Sequence, residues 1–450
     1  MSEALLSVGL DVGTTSTQMI LSRLQVENQA SAFAVPDLQI TRREVLYQSP
    51  VHFTPLLSGK LVDGDTLRLL VEEEYRRAGI SREKVDTGAI IITGETSRKE
   101  NAKTVLDALS DLAGDFVVAV AGPDLESILA AKGAGAVDYA EKTGETVLHM
   151  DIGGGTSNLA LIRNGEIEAT GCLNVGGRLI KLDENRRVTY VSAVLKGLCA
   201  IEAGQVIREE QAEEVARLLC RALEMAAGLR PWDEKHRRLL TEEADGQIPA
   251  LEEPVTLSFS GGVADCIGKD YPFGTFGDLG PVLGRCIRES ALCRGKYLLG
   301  DQTIRATVIG AGCHSTQLSG STVFYRNVSF PMKNLPVVVI SGSDRLDRVE
   351  GPAALALRVS GELSYGQIRD LAERLAGKLP DPAVICLRRD MAKALGQALA
   401  IRMGPGHGIL CLDRVALSEG SYLDIGTPVG DAIPVVVKTL VLGEENRRCI

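Results

Sequence analysis

A chain of 450 residues with 45% hydrophobic and 24% charged residues is long enough for roughly two to four structural units with buried sheet. Its formal net charge of -10 argues against a dedicated nucleic-acid surface, and a 4% aromatic content with Trp232 as the sole tryptophan supplies little base or sugar stacking. The sequence lacks a signal-peptide pattern and any apolar run near the ~20 residues of a membrane span. Its ten cysteines show no metal or disulfide spacing, so reduced thiols and no structural metal are expected.

The 48 glycines fall mostly at the ends of apolar runs, which predicts an α/β protein with strand-to-loop glycine turns. In chain order, apolar runs predict strands over 5–12, 89–93, 116–121, 147–152, 159–163, 255–259, 303–309, 337–340, 384–387 and 435–442. A helix is expected over 66–78, where Leu67, Leu70, Val71 and Tyr75 share a face after an acidic turn. The longest amphipathic segment, 209–229, sets Ala212, Val215, Ala216, Leu219, Leu223 and Ala226 on one stripe. The same pattern recurs over 365–379, after Ser364. The charged, proline-flanked stretch 230–254 reads as a surface excursion, and 327–335 as a joint before a C-terminal portion.

One local pattern occurs twice. GLDVGTTSTQ, residues 9–18, and LHMDIGGGTSNLAL, residues 148–161, each place an aspartate near the end of an apolar strand and follow it with glycine and hydroxyl residues. Asn164-Gly165 after the second copy predicts a two-residue hairpin turn. Glycines let backbone approach an anion closely, and successive turn N–H groups form a concave nest for phosphate oxygens. A carboxylate repels phosphate unless a cation mediates, and hydrated Mg²⁺ bridges carboxylates to nucleotide phosphates. The pattern therefore predicts that Asp11 and Asp151 hold Mg²⁺ while Gly13, Thr14, Thr15, Gly153, Gly154, Gly155 and Thr156 cradle phosphate. The plainer alternative is a pair of glycine turns whose aspartates cap local N–H groups. There is no P-loop pattern and no G-x-G-x-x-G after the first strand. A third turn, Gly261-Gly262 in LSFSGGVADCIG, is expected to let backbone pack against an adenosine.

Together these three segments resemble the actin, heat-shock chaperone and sugar kinase ATPase superfamily. The resemblance implies two actin-like, ribonuclease H-like lobes around a nucleotide cleft that binds ATP with Mg²⁺, plus an additional C-terminal α/β portion. It sets the first lobe at 1–145, the second at 146–330 and the C-terminal portion at 331–450. ESILAAKGAGAV, 126–137, resembles the small-residue helix connecting the lobes, and its Glu126 matches the chaperones' active-site glutamate in spacing, with Asp124 as competitor. LGRCIRESA, 283–291, stands where the second connecting helix is expected. Either Glu126 or Asp151 is placed to orient an attacking water.

Within that superfamily, the chain is similar over essentially its whole length to the large reactivating factors of ethanolamine ammonia-lyase. Beyond the nucleotide loops, the likeness rests on RATVIGAGCHSTQLSGSTV and YLDIGTPVGDAIPVVVKTLV. It implies a slow Mg-dependent ATPase that acts on the inactivated lyase, releasing damaged cobalamin so that intact adenosylcobalamin enters. It also implies a cytoplasmic protein, one able to associate with a bacterial microcompartment, with no nucleic-acid or membrane partner. Two other functions on the same scaffold stay open, a metabolite kinase and an actin-like nucleotide-gated assembly protein. The five histidines sit singly and no D-x-H-x-x-G is present, so the cobalamin is expected on the lyase; His149 reads as a buried core histidine and His407 as part of a glycine loop.

Overall fold

The computed structural model describes residues 3–13, 16–28, 38–58, 61–92, 109, 117–120, 123–241, 255–300, 303–314, 316–319, 322–340, 351–359, 363–415, 417, 421–428 and 433–439. Packing divides the chain into two units, one of Met1–Val120 with Ala311–Ile450 and the other of Ala121–Gly310.

The first unit opens with β1 (Glu3–Val12), which pairs antiparallel with β2 (Ser16–Asn28), itself antiparallel to β3 (Leu38–Gln48). On its other side β1 is parallel to β4 (Thr87–Ile92), and β4 to β5 (Val117–Val120). The sheet order is thus β3-β2-β1-β4-β5, with His52–Phe53 added against β2. Alternation along β1 sends Val8, Leu10 and Val12 to one face, where helix α1 (Gly64–Ala78) covers them with Leu67, Val71 and Tyr75. Asp63 caps that helix, its side chain accepting from the Thr66 amide at 3.0 Å, and Gly79 ends it at a φ of 69°. The opposite face, Ser7, Gly9 and Asp11, is polar or small. Gly312 lies against Gly9 and Ile20 there, and its carbonyl accepts from the Ser7 hydroxyl at 2.5 Å.

The second unit repeats this topology. Its central strand β6 (Val147–Ile152) is antiparallel to β7 (Ser157–Arg163), which is antiparallel to β8 (Glu166–Leu173). On the far side β6 is parallel to β9 (Thr256–Ser260), and β9 to β10 (Tyr297–Leu299), giving the order β8-β7-β6-β9-β10. Numbered within each sheet, both run 3-2-1-4-5. The twofold aspartate pattern is therefore the sequence trace of a duplicated lobe, and the fold is α/β with two actin-like, ribonuclease H-like lobes. Asn164 and Gly165, at φ of 49° and 78°, make the expected tight hairpin turn.

One face of the second sheet, with Leu148, Met150, Ile152 and Phe259, packs against α4 (Glu209–Ala226), α5 (Gly262–Gly268) and α6 (Gly280–Glu289). The other, with Val147, Ala160 and Ile162, packs on α2 (Pro123–Gly133) and α3 (Ala136–Thr143) through Ala131, Ala136 and Ala140. The helix pair over 123–143 thus rests on the second unit's sheet. Two expectations are corrected here. Residues 303–309 are not a strand but a turn at Thr303–Arg305 followed by α7 (Ala306–Ile309). Their β-branched run is overridden because this segment crosses α2 at backbone contact, where a Cβ on Gly133 would stand 1.8 Å from the Ala306 carbonyl oxygen. Residues 283–289 lie in α6, buried on Leu283 and Ile287 in the second unit's core. The chain leaves that unit at 306–314 instead, a segment rich in small residues.

The C-terminal portion forms an eight-stranded sheet. Its strands are β11 (Thr316–Leu318), β12 (Phe324–Arg326), β13 (Met332–Ile340), β14 (Ala354–Leu357), β15 (Ala383–Leu387), β16 (Ile409–Leu412), β17 (Ser421–Ile425) and β18 (Pro434–Thr439). The order is β11-β18-β17-β13-β14-β15-β16-β12, and β13 to β16 run parallel. Helices α8 (Tyr365–Ala376) and α9 (Ala392–Met403) cover one face with Ile368, Leu375, Leu395 and Leu399. Ser364 and Gln367 close a reciprocal capping box at the start of α8.

At the end of β16 the fully buried Asp413 accepts from the Met391 and Ala392 amides at 3.0 and 2.9 Å through Oδ1, while its Oδ2 has no partner. Burial is the main cause that pushes its carboxyl up to about 6, the two amide bonds opposing. Between roughly pH 4 and 6 the folded chain then holds a proton that the unfolded chain has released. Stability from this group is present below that window and lost as pH rises through it. We expect wild-type stability relative to Asp413→Asn, measured by urea denaturation, to fall by up to about 1.4 kcal/mol per pH unit across that range.

Candidate functional site

Asp151 is the penultimate residue of β6. Register sets it beside Asn158 of β7 on one side and Ser260 of β9 on the other. Neighbours in register present side chains on the same face, so both flank its carboxylate. The Ser260 hydroxyl donates to Asp151 Oδ1, and Thr307 of α7 contributes a second side-chain hydrogen bond. Desolvation nevertheless dominates and pushes the carboxyl up to about 6. Asn158 in turn donates from Nδ2 to Glu126 Oε2 at 2.8 Å, and both residues are buried. The sheet therefore gathers Asp151, Glu126, Asn158, Ser260 and Thr307 into one polar group, beneath α2. Asp124, the alternative to Glu126, has a side chain outside the described residues.

The turn after β6 is closed by the Gly153 amide donating to the Thr156 carbonyl at 2.9 Å. Gly177 and Arg178 donate amides to the Gly153 and Gly154 carbonyls at 3.0 and 2.6 Å, tying the loop to the chain that follows β8. The Arg178 stem lies on Gly154, where a Cβ would approach its Cδ at 3.2 Å, and its guanidinium pairs with Asp278 at 3.3 Å. Gly155 is exposed, and a Cβ added there would meet nothing within 4 Å. Gly261, at a φ of 89°, passes so close to the end of β6 that a Cβ would stand 2.4 Å from the Ile152 carbonyl oxygen. The diglycine turn of Gly261 and Gly262 thus sits next to the glycine loop of 153–156.

Asp11 occupies the matching place in the first unit, next to last in β1 and in register with Gln18 and Ile91. The Gly13 amide donates to the Ser16 carbonyl at 2.9 Å, the same turn closure as at Gly153. The Gly13 carbonyl accepts from the Thr54 hydroxyl at 2.7 Å, and Thr17 lies 3.1 Å from that hydroxyl. Thr14 and Thr15 lie outside the described residues.

Sequence reading missed four participants: Ser260 and Thr307 on Asp151, Asn158 on Glu126, and Arg178 on the glycine loop. The serines of SFSGG, spaced by two on a strand, were the available signal for Ser260; nothing local marked the others. His407 is held by its Nε2 at 2.9 Å from the Pro380 carbonyl oxygen. Among the described residues no cluster of three or more His, Cys, Asp and Glu could hold a metal, and no helix is long and apolar enough to cross a membrane. The donor set at Asp151 is nonetheless all oxygen, one carboxylate with two hydroxyls, and this fits a hydrated Mg²⁺ held by few protein ligands.

A family model described as ethanolamine utilisation protein EutA matches residues 3–443. The chain belongs to the EutA family. Two EutA relatives, each named ethanolamine ammonia-lyase reactivase EutA, are similar along their length. That of Salmonella typhimurium strain LT2 is 37% identical over 473 aligned positions, spanning 97% of this chain and 98% of the relative. That of Escherichia coli strain K12 is 38% identical over 475, with the same spans. Among solved structures, the PPX-GPPA enzyme of Aquifex aeolicus covers 68% of this chain and 99% of its own at 13% identity and a TM-score of 0.42.

Proposed function

We propose that this EutA-family chain is an ATP-dependent reactivating chaperone, releasing damaged cobalamin from inactivated ethanolamine ammonia-lyase so that intact adenosylcobalamin rebinds. The observation that carries the reading is near-full-length identity to two relatives named as reactivases of that lyase. The duplicated sheet with an acidic strand end in each copy supports a nucleotide role.

In this reading Asp11 and Asp151 hold Mg²⁺ and its waters, and Gly13, Thr14, Thr15, Gly153, Gly154, Gly155 and Thr156 take phosphate oxygens. Gly261 and Gly262 pack against the adenosine, and Glu126 orients the attacking water. Mg²⁺, when bound, neutralises charge on the transferring phosphoryl group. Residues 1–145 and 146–330 are the segments that supply these loops, and 331–450 is an additional α/β portion. The chain acts in the cytoplasm and is able to associate with a bacterial microcompartment. ATP does work on the lyase only through its different affinities for two states of the chain, a difference that slow hydrolysis resets.

The test mixes the purified chain with inactivated lyase, ATP, Mg²⁺ and fresh coenzyme and follows recovered deaminase activity. Recovery that requires ATP and Mg²⁺ supports the reading; equal recovery without nucleotide defeats the coupling. Glu126→Gln keeps an oxygen to accept from Asn158 and removes only the charge. Single-turnover hydrolysis is expected to slow about 100-fold, with nucleotide affinity within about 3-fold of wild type.

A further inference from the structure

We propose that His149 is a positioning residue for Asp151: through Ser260 it turns a hydroxyl hydrogen onto the Asp151 carboxylate and so holds that carboxylate in one orientation. The inference rests on the reading of Asp151 as a Mg²⁺ ligand.

The two parallel strands β6 and β9 place Ser258 in register with His149 and Ser260 in register with Asp151. Four polar side chains therefore line one face. The other face of the same two strands carries only Leu148, Met150, Ile152, Leu257 and Phe259. His149 and Ser260 are 0% exposed and Ser258 2%. Interior positions built purely for packing would be apolar, since a buried polar group costs free energy unless each of its bonds is met. Here they are met in series. His149 Nδ1 stands 3.0 Å from the Ser258 hydroxyl, its Nε2 stands 3.0 Å from the Ser260 hydroxyl, and Ser260 donates to Asp151.

Counting hydrogens fixes the direction. An ionised carboxylate only accepts, so the single hydroxyl hydrogen of Ser260 is committed to Asp151. The Ser260 oxygen must then accept from His149, which puts the imidazole proton on Nε2. Neutral imidazole has one donor and one acceptor, so Nδ1 accepts from Ser258. Burial disfavours the charged imidazolium, which keeps this ring neutral. Donation runs one way, from Ser258 through His149 and Ser260 to Asp151, and each bond polarises the next. Without His149 the Ser260 oxygen loses its donor, its hydroxyl is free to rotate, and Asp151 loses a fixed partner. Outer partners that orient a metal-binding side chain typically carry about 10- to 100-fold in metal affinity or activity.

The full chain labelled with ¹⁵N-histidine reports the tautomer directly. The resonance lost in His149→Gln is expected to show a protonated Nε2 and a bare Nδ1. Half-saturating Mg²⁺ for ATP hydrolysis is expected to rise about 10-fold in His149→Phe. In His149→Gln, whose amide can donate to Ser260 as Nε2 does, it should return to within about 3-fold of wild type. Ser258→Ala, a smaller change, keeps the test usable if His149→Phe fails to fold: the proton should stay on Nε2, because Ser260 sets it, while the loss of the donor to Nδ1 should raise half-saturating Mg²⁺ about 3-fold. A proton on Nδ1 in the wild type, or folded variants with wild-type Mg²⁺ dependence, would overturn the proposal. A wild-type chain without Mg²⁺-dependent ATP hydrolysis would instead remove the proposed function, and the tautomer would then decide the hydrogen-bond chain alone.

Discussion

Asp151→Ala is expected to reduce Mg²⁺-dependent ATP hydrolysis, and with it lyase reactivation, by at least about 100-fold while leaving the chain folded. The activity loss follows from removing the one carboxylate of an all-oxygen donor set, which is where a divalent cation would neutralise phosphate charge. The fold survives because Asp151 contributes no apolar packing and is already disfavoured as an ion by its burial. What the variant loses is an acceptor for Ser260 and Thr307, about 1.5–3 kcal/mol for each hydrogen bond to a charged group, offset in part by removal of a carboxylate that burial disfavours. Asp151→Asn separates the two effects, since it keeps an acceptor oxygen and removes the charge. Asp11→Ala tests the matching position of the first unit with the same expected direction. Nucleotide binding followed by calorimetry with and without Mg²⁺ is the check, and wild-type affinity in either alanine variant would sink the assignment.

The second large effect is on stability. Gly133→Ala should destabilise the 121–310 unit by about 3 kcal/mol or more. An added Cβ would lie 1.8 Å from the Ala306 carbonyl oxygen and 2.6 Å from the Gly310 amide nitrogen. Those are backbone atoms, so no side-chain rotation relieves the overlap and α2 must shift off α7. Overpacking of this kind costs about 1–3 kcal/mol where neighbours can adjust and more where they cannot. For a unit of this size that corresponds to a fall of roughly 6–12 °C in its melting transition. Gly295→Ala in the same unit is the control, because nothing lies within 4 Å of its added Cβ. Differential scanning calorimetry reads both, and a two-unit chain need not melt in a single step. Equal transitions for the two variants would mean that α2 and α7 do not cross at backbone contact.

Local features were legible from residues alone because they depend on near neighbours in the chain. The apolar stripes of α1, α4 and α8, the Asn164-Gly165 turn and the glycine after each strand-end aspartate all act within a few residues. So did the duplication, since the same aspartate–glycine signature marks the central strand of each lobe. The long strand β2 escaped notice for an equally local reason. Residues 17 to 22 are buried on both faces, and its serine, threonine and glutamine content hides the strand from a search for alternation.

Tertiary structure alone decided which side chains meet. Ser260 lies 109 residues from Asp151, and Glu126 lies 32 from Asn158, so only strand register and the seating of α2 bring each pair within bonding distance. The β-branched run 303–309 favours extended chain by propensity, yet the backbone crossing at Gly133 makes it helical. Short-range preference is worth tenths of a kcal/mol per residue, whereas a crossing between helices satisfies many contacts at once. The acidic strand ends were therefore determined by the sequence, and the hydroxyl, amide and imidazole groups arrayed around Asp151 by the packing of distant segments upon it.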